Sequence, residues 1–532
     1  MIINSNHLCL LRHLIHSSCR HHNRRHPSLH VCRRQLLSTV VSVDRNNKSD
    51  EQIKEEVIKI PKRIERGPTD ILRALAGTVQ RDLTGPDYRF VDDPFLTPLS
   101  NNQKRLFSLS RESGKRAAKY VFDEFPELFI RDVSEPKIDA FTYKELIDES
   151  VVVDEIDILQ CIARKEVNNA IQCFKNMTRD KKPMSAETVQ KLLELVCFYN
   201  CDEPPDMDFL VEKSYAAGEV NRSANIWKDN GFAEQLFASI EQKTSQTYCT
   251  LIQGLVKFSQ SVKADHYYKE AKELGLKLNI ETYNGLIKVA PMLRESSDSR
   301  WLYMEDVLND MKSCGVRPNL HTMNNMLEVV TRFGAIGFSH KFAKKILSEM
   351  VNKMGIEPSL ATYYHILNVF AKDKSPNFPI LYEIMDKIDG KEFTICDLND
   401  VNFFTTAMFT CHSKLNDKSI AYRIHRLYSL GKNSKLMGNF LNETKYFQRF
   451  CRILCATEDV DVFMTDFYDK YVPNVYIPEP TTFLEILQMI ELYEAFRYLP
   501  KLREDFKSFD YRIDPHMPSP VITDIQKILE LN

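Results

Sequence analysis

Apolar residues fall at i, i+3, i+4 and i+7 in eight stretches of the chain, with polar residues between them. The stripes are Val189, Leu192, Leu193, Val196; Tyr248, Leu251, Ile252, Leu255; Tyr283, Leu286, Ile287, Ala290; Met323, Met326, Leu327, Val330; Tyr363, Ile366, Leu367, Phe370; the weaker Phe403, Thr406, Ala407, Thr410; Phe447, Phe450, Cys451, Leu454; and Phe483, Ile486, Leu487, Ile490. That period puts each set on one side of a helix and predicts eight amphipathic helices. Their first residues stand 59, 35, 40, 40, 40, 44 and 36 residues apart. A second helical segment lies between successive stripes, as at 263–274, 301–315, 340–355 and 459–472.

The boundary between units is written twice in nearly the same words, "SCGVRPNLHTMNNML" from Ser313 and "KMGIEPSLATYYHIL" from Lys353. Gly315 and Gly355 stand where a helix stops in the left-handed conformation, and Pro318 and Pro358 bar its continuation. Asn319 and Ser359 can then cap the next helix. Helix pairs of this size cannot bury their apolar faces alone. Copies are therefore expected to stack into an all-α solenoid with a continuous core and one extended concave surface. The excess of five residues over 35 is expected in the loops between paired helices, such as Met292 to Trp301, or in lengthened helices. The longest interval contains "CDEPPDMDF" (Cys201 to Phe209), whose prolines and acids predict an exposed excursion.

The ends of the chain differ from this middle. The first 43 residues hold no Asp or Glu but carry Arg12, Arg20, Arg24, Arg25, Arg33 and Arg34 with seven of the 14 histidines. Arg-rich and acid-free, with short apolar stretches, this segment reads as a mitochondrial transit peptide cleaved near Arg33 to Ser38. A disordered basic arm that binds nucleic acid is the alternative. The expected organisation is a transit peptide over 1–43, an extension with a basic helical segment over 44–150, the repeat array over 151–515 interrupted near 201–225, and a C-terminal helix over 516–532. The whole chain has a net charge of −2, and without the six presequence arginines it stands at −8. Counterion release from a polyanion needs clustered cations. RNA contact must therefore come from a local basic surface or from stacking.

Several chemistries lack their residues. With 16 glycines in 532 residues, there is no GxGxxG and no GxxxxGK[ST]. "GAIG" at Gly334 to Gly337 has the GxxG form of a KH clamp, or is an ordinary turn between helices. Thirteen cysteines include no CxxC. The pairs Cys197 with Cys201 and Cys451 with Cys455 are expected to be free thiols facing one packed layer, without metal. There is no HExxH, no GxSxG and no acid cluster for catalytic magnesium, so no enzyme, cofactor or small-molecule substrate is expected. No apolar run approaches the ~20 residues that span a bilayer.

A helix pair opening on "ETYNGLI" and closing on G-[IVL]-x-P-[NS] resembles the pentatricopeptide repeat. Outside the repeats, 60–98 and 113–141 resemble the pentatricopeptide-repeat component of the mitochondrial small ribosomal subunit, a likeness running roughly from Ile60 to Leu487. The resemblance implies a non-catalytic RNA-binding component of that subunit, supporting translation in the mitochondrial matrix. Its implied partners are small-subunit ribosomal RNA and ribosomal proteins, with messenger RNA a further one. A free RNA-stability factor binding particular transcripts and a protein-only scaffold are the competing readings.

In this repeat family the residue after the aromatic and the last residue of the unit read a base. The resemblance thus nominates Asn284 with Asn319 and Asn324 with Ser359, although Asn319 and Ser359 also suit simple helix caps. Cys249, Tyr364, Phe404, Gln448 and Leu484 hold the first of these positions elsewhere, so a long base-by-base reader is not expected. A basic surface precedes the array, with Lys104, Arg105, Arg111, Lys115, Arg116 and Lys119 against the single acid Glu112, and Phe107 and Tyr120 interleaved. These cations suit RNA phosphates, or form a solvated helix face. Lys59 to Arg66 is a second basic stretch.

Overall fold

The computed structural model describes residues 67–78, 101–125, 147–204, 226–373, 378–438, 440–509, 511 and 519–531. The expected transit peptide, the stretch Lys59 to Arg66 and most of the expected excursion near 201–225 lie outside the described residues. The chain divides into two units, 1–78 and 79–532. In the first, helix α1 (Asp70–Thr78) starts with the Gly67 N–H donating to the Asp70 carboxylate at 2.7 Å.

The second unit is helical throughout its described residues. It opens with α2 (Asn101–Glu124), then the hairpin α3 (Glu155–Arg164) and α4 (Val167–Arg179). Pairs follow: α5 (Ala186–Tyr199) with α6 (Phe232–Ser239), α7 (Ser245–Lys257) with α8 (Ser261–Glu273), α9 (Ile280–Leu293) with α10 (Ser297–Ser313), and α11 (Leu320–Thr331) with α12 (Ile336–Ser348). The series continues with α13 (Leu360–Ala371) and α14 (Pro379–Ile388), α15 (Phe403–Thr410) and α16 (Lys418–Ser429), then α17 (Phe440–Thr457) and α18, a helical run over 460–471. It closes with α19 (Pro480–Leu492), α20 (Leu499–Phe509) and α21 (Ser519–Leu531). Each odd-numbered helix from α5 to α19 packs on the next odd-numbered helix, and from α7 to α17 each also packs on the even-numbered helix that follows it. The result is a solenoid of two layers.

The stripes make the core between the layers. Tyr248, Tyr283, Met323, Tyr363, Phe403, Phe447 and Phe483 are all buried at the same place in successive first helices. Val189, Phe370 and Thr406 are only half-buried. Each fully buried aromatic or aliphatic side chain contributes about 1.5–3 kcal/mol. The tyrosine tips find acceptors on the second layer: Tyr248 donates to Glu270 at 2.7 Å and Tyr283 to Asp310 at 3.0 Å.

The repeated phrase is a stop and a start. Gly275, Gly315 and Gly355 have φ of 67°, 73° and 65°, and after the first two the chain closes back, Leu276 N–H on Ala271 C=O at 3.0 Å and Val316 N–H on Met311 C=O at 2.8 Å. Asn279 caps α9 through the Thr282 N–H, and reciprocal boxes of Asn319 with Thr322 and Ser359 with Thr362 open α11 and α13. In the repeats that start at Tyr283 and Met323 the extra residues sit in the second helices, whereas in the one that starts at Tyr363 the second helix α14 has only 10 residues and the connection over 389–402 takes up the excess. The turn between α9 and α10 spans only 294–296, whereas α10 has 17 residues against 13 in α8, and α12 runs on into a π turn, Glu349–Lys353. Further π turns, Cys411–Leu415 and Phe463–Tyr468, absorb added residues farther along.

Candidate nucleic-acid interface

At 100° per residue, a first helix has three distinct sides. The stripe faces the second layer. The residue after the first stripe residue lies about 110° from the stripe's centre, on the flank toward the neighbouring first helix. The residue nine after it lies about 170° away and faces outward.

The flank is where the proposed base-reading residues sit, and the fold already uses them. Asn284 is 7% exposed and Asn324 1% exposed. Thr322 Oγ1 donates to Asn284 Oδ1 at 2.6 Å, and Thr362 Oγ1 donates to Asn324 Oδ1 at 2.7 Å. Asn284 Nδ2 donates to Asn319 Oδ1 at 3.3 Å, while Asn319 also takes the Thr322 N–H at 3.0 Å. Asn324 Nδ2 donates to Asp397 Oδ2 at 3.0 Å. Ser359 is buried at the start of α13, its backbone N–H donating to Thr362 Oγ1 at 3.1 Å. Two earlier seams carry the same stitch in other residues: Thr247 Oγ1 donates to Gln190 Oε1 at 3.1 Å, and Gln253 Nε2 donates to Thr282 Oγ1 at 3.0 Å. Three of the four residues read as a code from the sequence, Asn284, Asn319 and Asn324, thus join repeat to repeat, because each N3 threonine has a hydroxyl left over after capping and the preceding flank supplies its partner. Asp397 extends this network. Burial works against its charge, but the Asn399 N–H, Asn324 and His321 hold its carboxyl below the usual range.

The outward side is largely exposed and carries a Lys or Arg in three of the eight repeats. Nine residues beyond each stripe start stand Phe198, Lys257, Met292, Arg332, Lys372, His412, Ala456 and Leu492. None of these is acidic, although the chain without its first 43 residues is acidic overall. Lys288 and Arg452 add charge one turn earlier, partly offset by ion pairs of Lys288 and Arg332 with Glu328 and of Arg452 with Glu485. Three lysines also bind the end of the preceding first helix: Lys257 donates to Phe198 C=O at 2.6 Å, Lys372 to Phe333 C=O at 2.9 Å and Lys414 to Asp373 C=O at 2.8 Å. A cation there meets the negative end of a helix. Burial draws Lys257 and Lys372 somewhat below the usual lysine range. Sequence reasoning missed this row, yet counting nine residues on from each stripe finds it.

On α2, the cations keep one side. The backbone positions of Lys104, Arg105, Arg111, Lys115, Arg116 and Lys119 span an arc of about 140°. Arg105, Arg111, Lys115, Arg116 and Lys119 are exposed, and Arg116 pairs with Glu112 one turn back. The side chain of Lys104 lies outside the described residues. Gly334 falls in the turn between α11 and α12, so "GAIG" is an interhelical connection. Cys197, Cys451 and Cys455 lie on helices and Cys201 just past the end of α5, all as free thiols. Among the described residues no group of three His, Cys, Asp or Glu side chains is placed to hold a metal. No described helix is long and apolar enough to cross a membrane.

A family profile described as small ribosomal subunit protein mS39, PPR, matches residues 69–260, and one for the pentatricopeptide repeat domain matches 266–332 and 306–373. Small ribosomal subunit protein mS39 of Drosophila melanogaster is 39% identical over 456 residues, covering 85% of this chain and 70% of its own. The chain belongs to the mS39 family. Its relatives in Xenopus laevis and Mus musculus are 34% and 33% identical, each over 86% of this chain, and over 70% and 68% of their own lengths. The solved pentatricopeptide repeat protein PPR10 from maize aligns over 81% of this chain and 53% of its own, at 12% identity and a TM-score of 0.38. That likeness is too loose to carry an argument. The mS39 profile takes in α2 through α7, and the repeat profile takes in Lys288, Arg332 and Lys372.

Proposed function

We propose that this chain is a non-catalytic, RNA-binding structural component of the mitochondrial small ribosomal subunit, acting in the matrix in support of translation. Its partners in this reading are small-subunit ribosomal RNA and neighbouring ribosomal proteins, with messenger RNA touching the same outward row. The observation that carries the reading is the kinship with proteins named for the small ribosomal subunit across most of the chain. The geometry supports it in a specific way. Buried asparagines committed to the seams suit a rigid platform, and an exposed cation row suits contact with a phosphate backbone regardless of sequence. Arg105, Arg111, Lys115, Arg116 and Lys119 on α2 supply a second basic surface of the same kind, with Lys104 beside them in the sequence.

Sedimentation of a mitochondrial lysate through a density gradient tests this. The chain is expected to travel with the small subunit and to remain there through moderate salt. Recovery of the chain at the top of the gradient, clear of the subunit, would overturn the proposal.

A further inference from the structure

We infer that the groove between the C-terminal half of α5 and the length of α7 is a seat for one unpaired nucleobase, stacked on Phe198 with its phosphate at Lys257. This rests on the RNA-binding reading above and adds a contact of its own to it.

The groove holds about 750 Å³ and is lined by Glu194, Phe198, Gln246, Gln253, Lys257 and Lys277 among others. It exists because the two helices nearly touch beneath it: a Cβ on Gly254 would stand 3.0 Å from Cys197 Cβ and 3.1 Å from its carbonyl oxygen. Phe198 lies outside this contact and is 55% exposed. Lys257 Nζ stands 3.2 Å from the centre of the Phe198 ring, anchored by its bond to the Phe198 carbonyl, and Tyr199 meets the ring edge-on at 4.9 Å. One face of the ring is therefore held by a cation, Tyr199 packs crosswise against it, and more than half of the residue stays exposed.

A ring braced in this way leaves more than half of the residue in water. A base stacked on it recovers about 1–3 kcal/mol. The floor of the groove suits the edge of a base. Gln246 Nε2 donates to Glu194 Oε1 and Gln253 Nε2 to Asn279 Oδ1, which fixes both amides. Glu194 keeps its charge, and with Lys257 and Lys277 against it the groove is left with a net charge of +1. This complementarity favours a nucleotide over an apolar protein segment. The seat also lies at one end of the outward row, so a strand leaving it meets the cations at Arg332 and Lys372.

The test is titration of a fluorescein-labelled short oligouridine RNA and of its abasic counterpart into the full chain, with Phe198→Leu, Phe198→Trp and Lys257→Gln alongside. Phe198→Leu keeps apolar volume and loses the ring, and a melting curve like that of the parent shows that it folds. It is expected to weaken oligouridine binding about 5- to 100-fold, the equivalent of the stacking energy, with no change in salt dependence. Phe198→Trp is expected to bind at least as tightly as the parent, and the abasic strand to bind the parent and Phe198→Leu alike. Equal oligouridine binding by the parent and Phe198→Leu, with Lys257→Gln still weakened, would overturn the base seat and leave the RNA-binding reading standing. Loss of co-sedimentation with the small subunit in Phe198→Leu, without any loss of RNA affinity, would also overturn it and assign the ring to a protein neighbour.

Discussion

Asn324 lies on α11 and Arg332 caps the C-terminal end of that helix about two turns on, and the fold treats them in opposite ways. Asn324 is 1% exposed, with its oxygen on Thr362 and its nitrogen on Asp397. Arg332 is exposed, paired only along its own helix with Glu328. The difference is angular: about 80° of rotation around the helix separates a flank that meets the next repeat from a side that faces outward. A polar residue in a repeat is thus assigned to joining or to recognition by its phase, and chemistry alone does not decide between them. Asn284 shares the fate of Asn324 because it shares its phase.

The sharpest way to break this contrast is to remove the seam. Asn324→Leu leaves the Thr362 hydroxyl and one Asp397 lone pair buried without their partner, at about 1–3 kcal/mol for each such group. Thermal or denaturant unfolding is expected to lose about 2–4 kcal/mol. Arg332→Gln should stay within about 0.5 kcal/mol of the parent. A seam variant as stable as the parent would mean that Asn324 is free to serve a ligand after all.

The outward row should answer to salt instead. Replacing Lys257, Arg332 and Lys372 together by glutamine removes three potential phosphate contacts. The slope of log affinity for single-stranded RNA against log salt is expected to become shallower by about 2. The two lysines also cap carbonyls, so a small loss of stability accompanies the change. If stability falls while the salt slope is untouched, the row serves the helix ends and not RNA.

These assignments mark what the sequence made legible. The stripes, the Gly stops and the caps follow from period and residue type, and the structure has them where the pattern predicts. The placement of the five extra residues was open between loop and helix, because period fixes where a repeat restarts and not how long its second helix runs. Asn284 and Asn324 were harder. Their role as stitches depends on Thr322 and Thr362 in the next repeat, a pairing 38 residues away that no local pattern reveals. The cation row was readable in principle by phase, but its meaning required knowing which flank the next helix covers.

A third kind of polar residue is half-buried among aromatic rings and sharpens the comparison by titrating. His425 on α16 bonds Tyr446 of α17 at 3.2 Å and Tyr471 of α18 at 2.8 Å, and its ring lies 4.7 Å from that of Phe450. Burial, with a smaller repulsion from Lys470, pushes its pKa down to about 3. The unfolded chain binds that proton near pH 6.5, so between these values the unfolded state holds more protons than the folded one. The contribution to stability is full above about pH 6.5 and is lost progressively as pH falls toward 3. Melting at pH 5 and 7.5 is expected to show a larger acid loss in the parent than in His425→Phe. That variant is less stable at neutral pH because two tyrosine hydroxyls lose their partner.

The smallest effect belongs to α2, which tests whether exposure and phase suffice outside the repeats. Arg105 and Lys119 sit about 40° apart on the basic arc, both exposed. Neither has the capping duty that complicates Lys257 and Lys372. Arg105→Gln with Lys119→Gln should leave unfolding within about 0.5 kcal/mol of the parent, because no buried group changes partner. If the arc contacts ribosomal RNA, the doubly substituted chain should leave the small subunit at lower salt, with a slope shallower by about 1–2. Unchanged release would make the arc a solvated face and confine the RNA-binding cations to the array, where phase alone would then account for them.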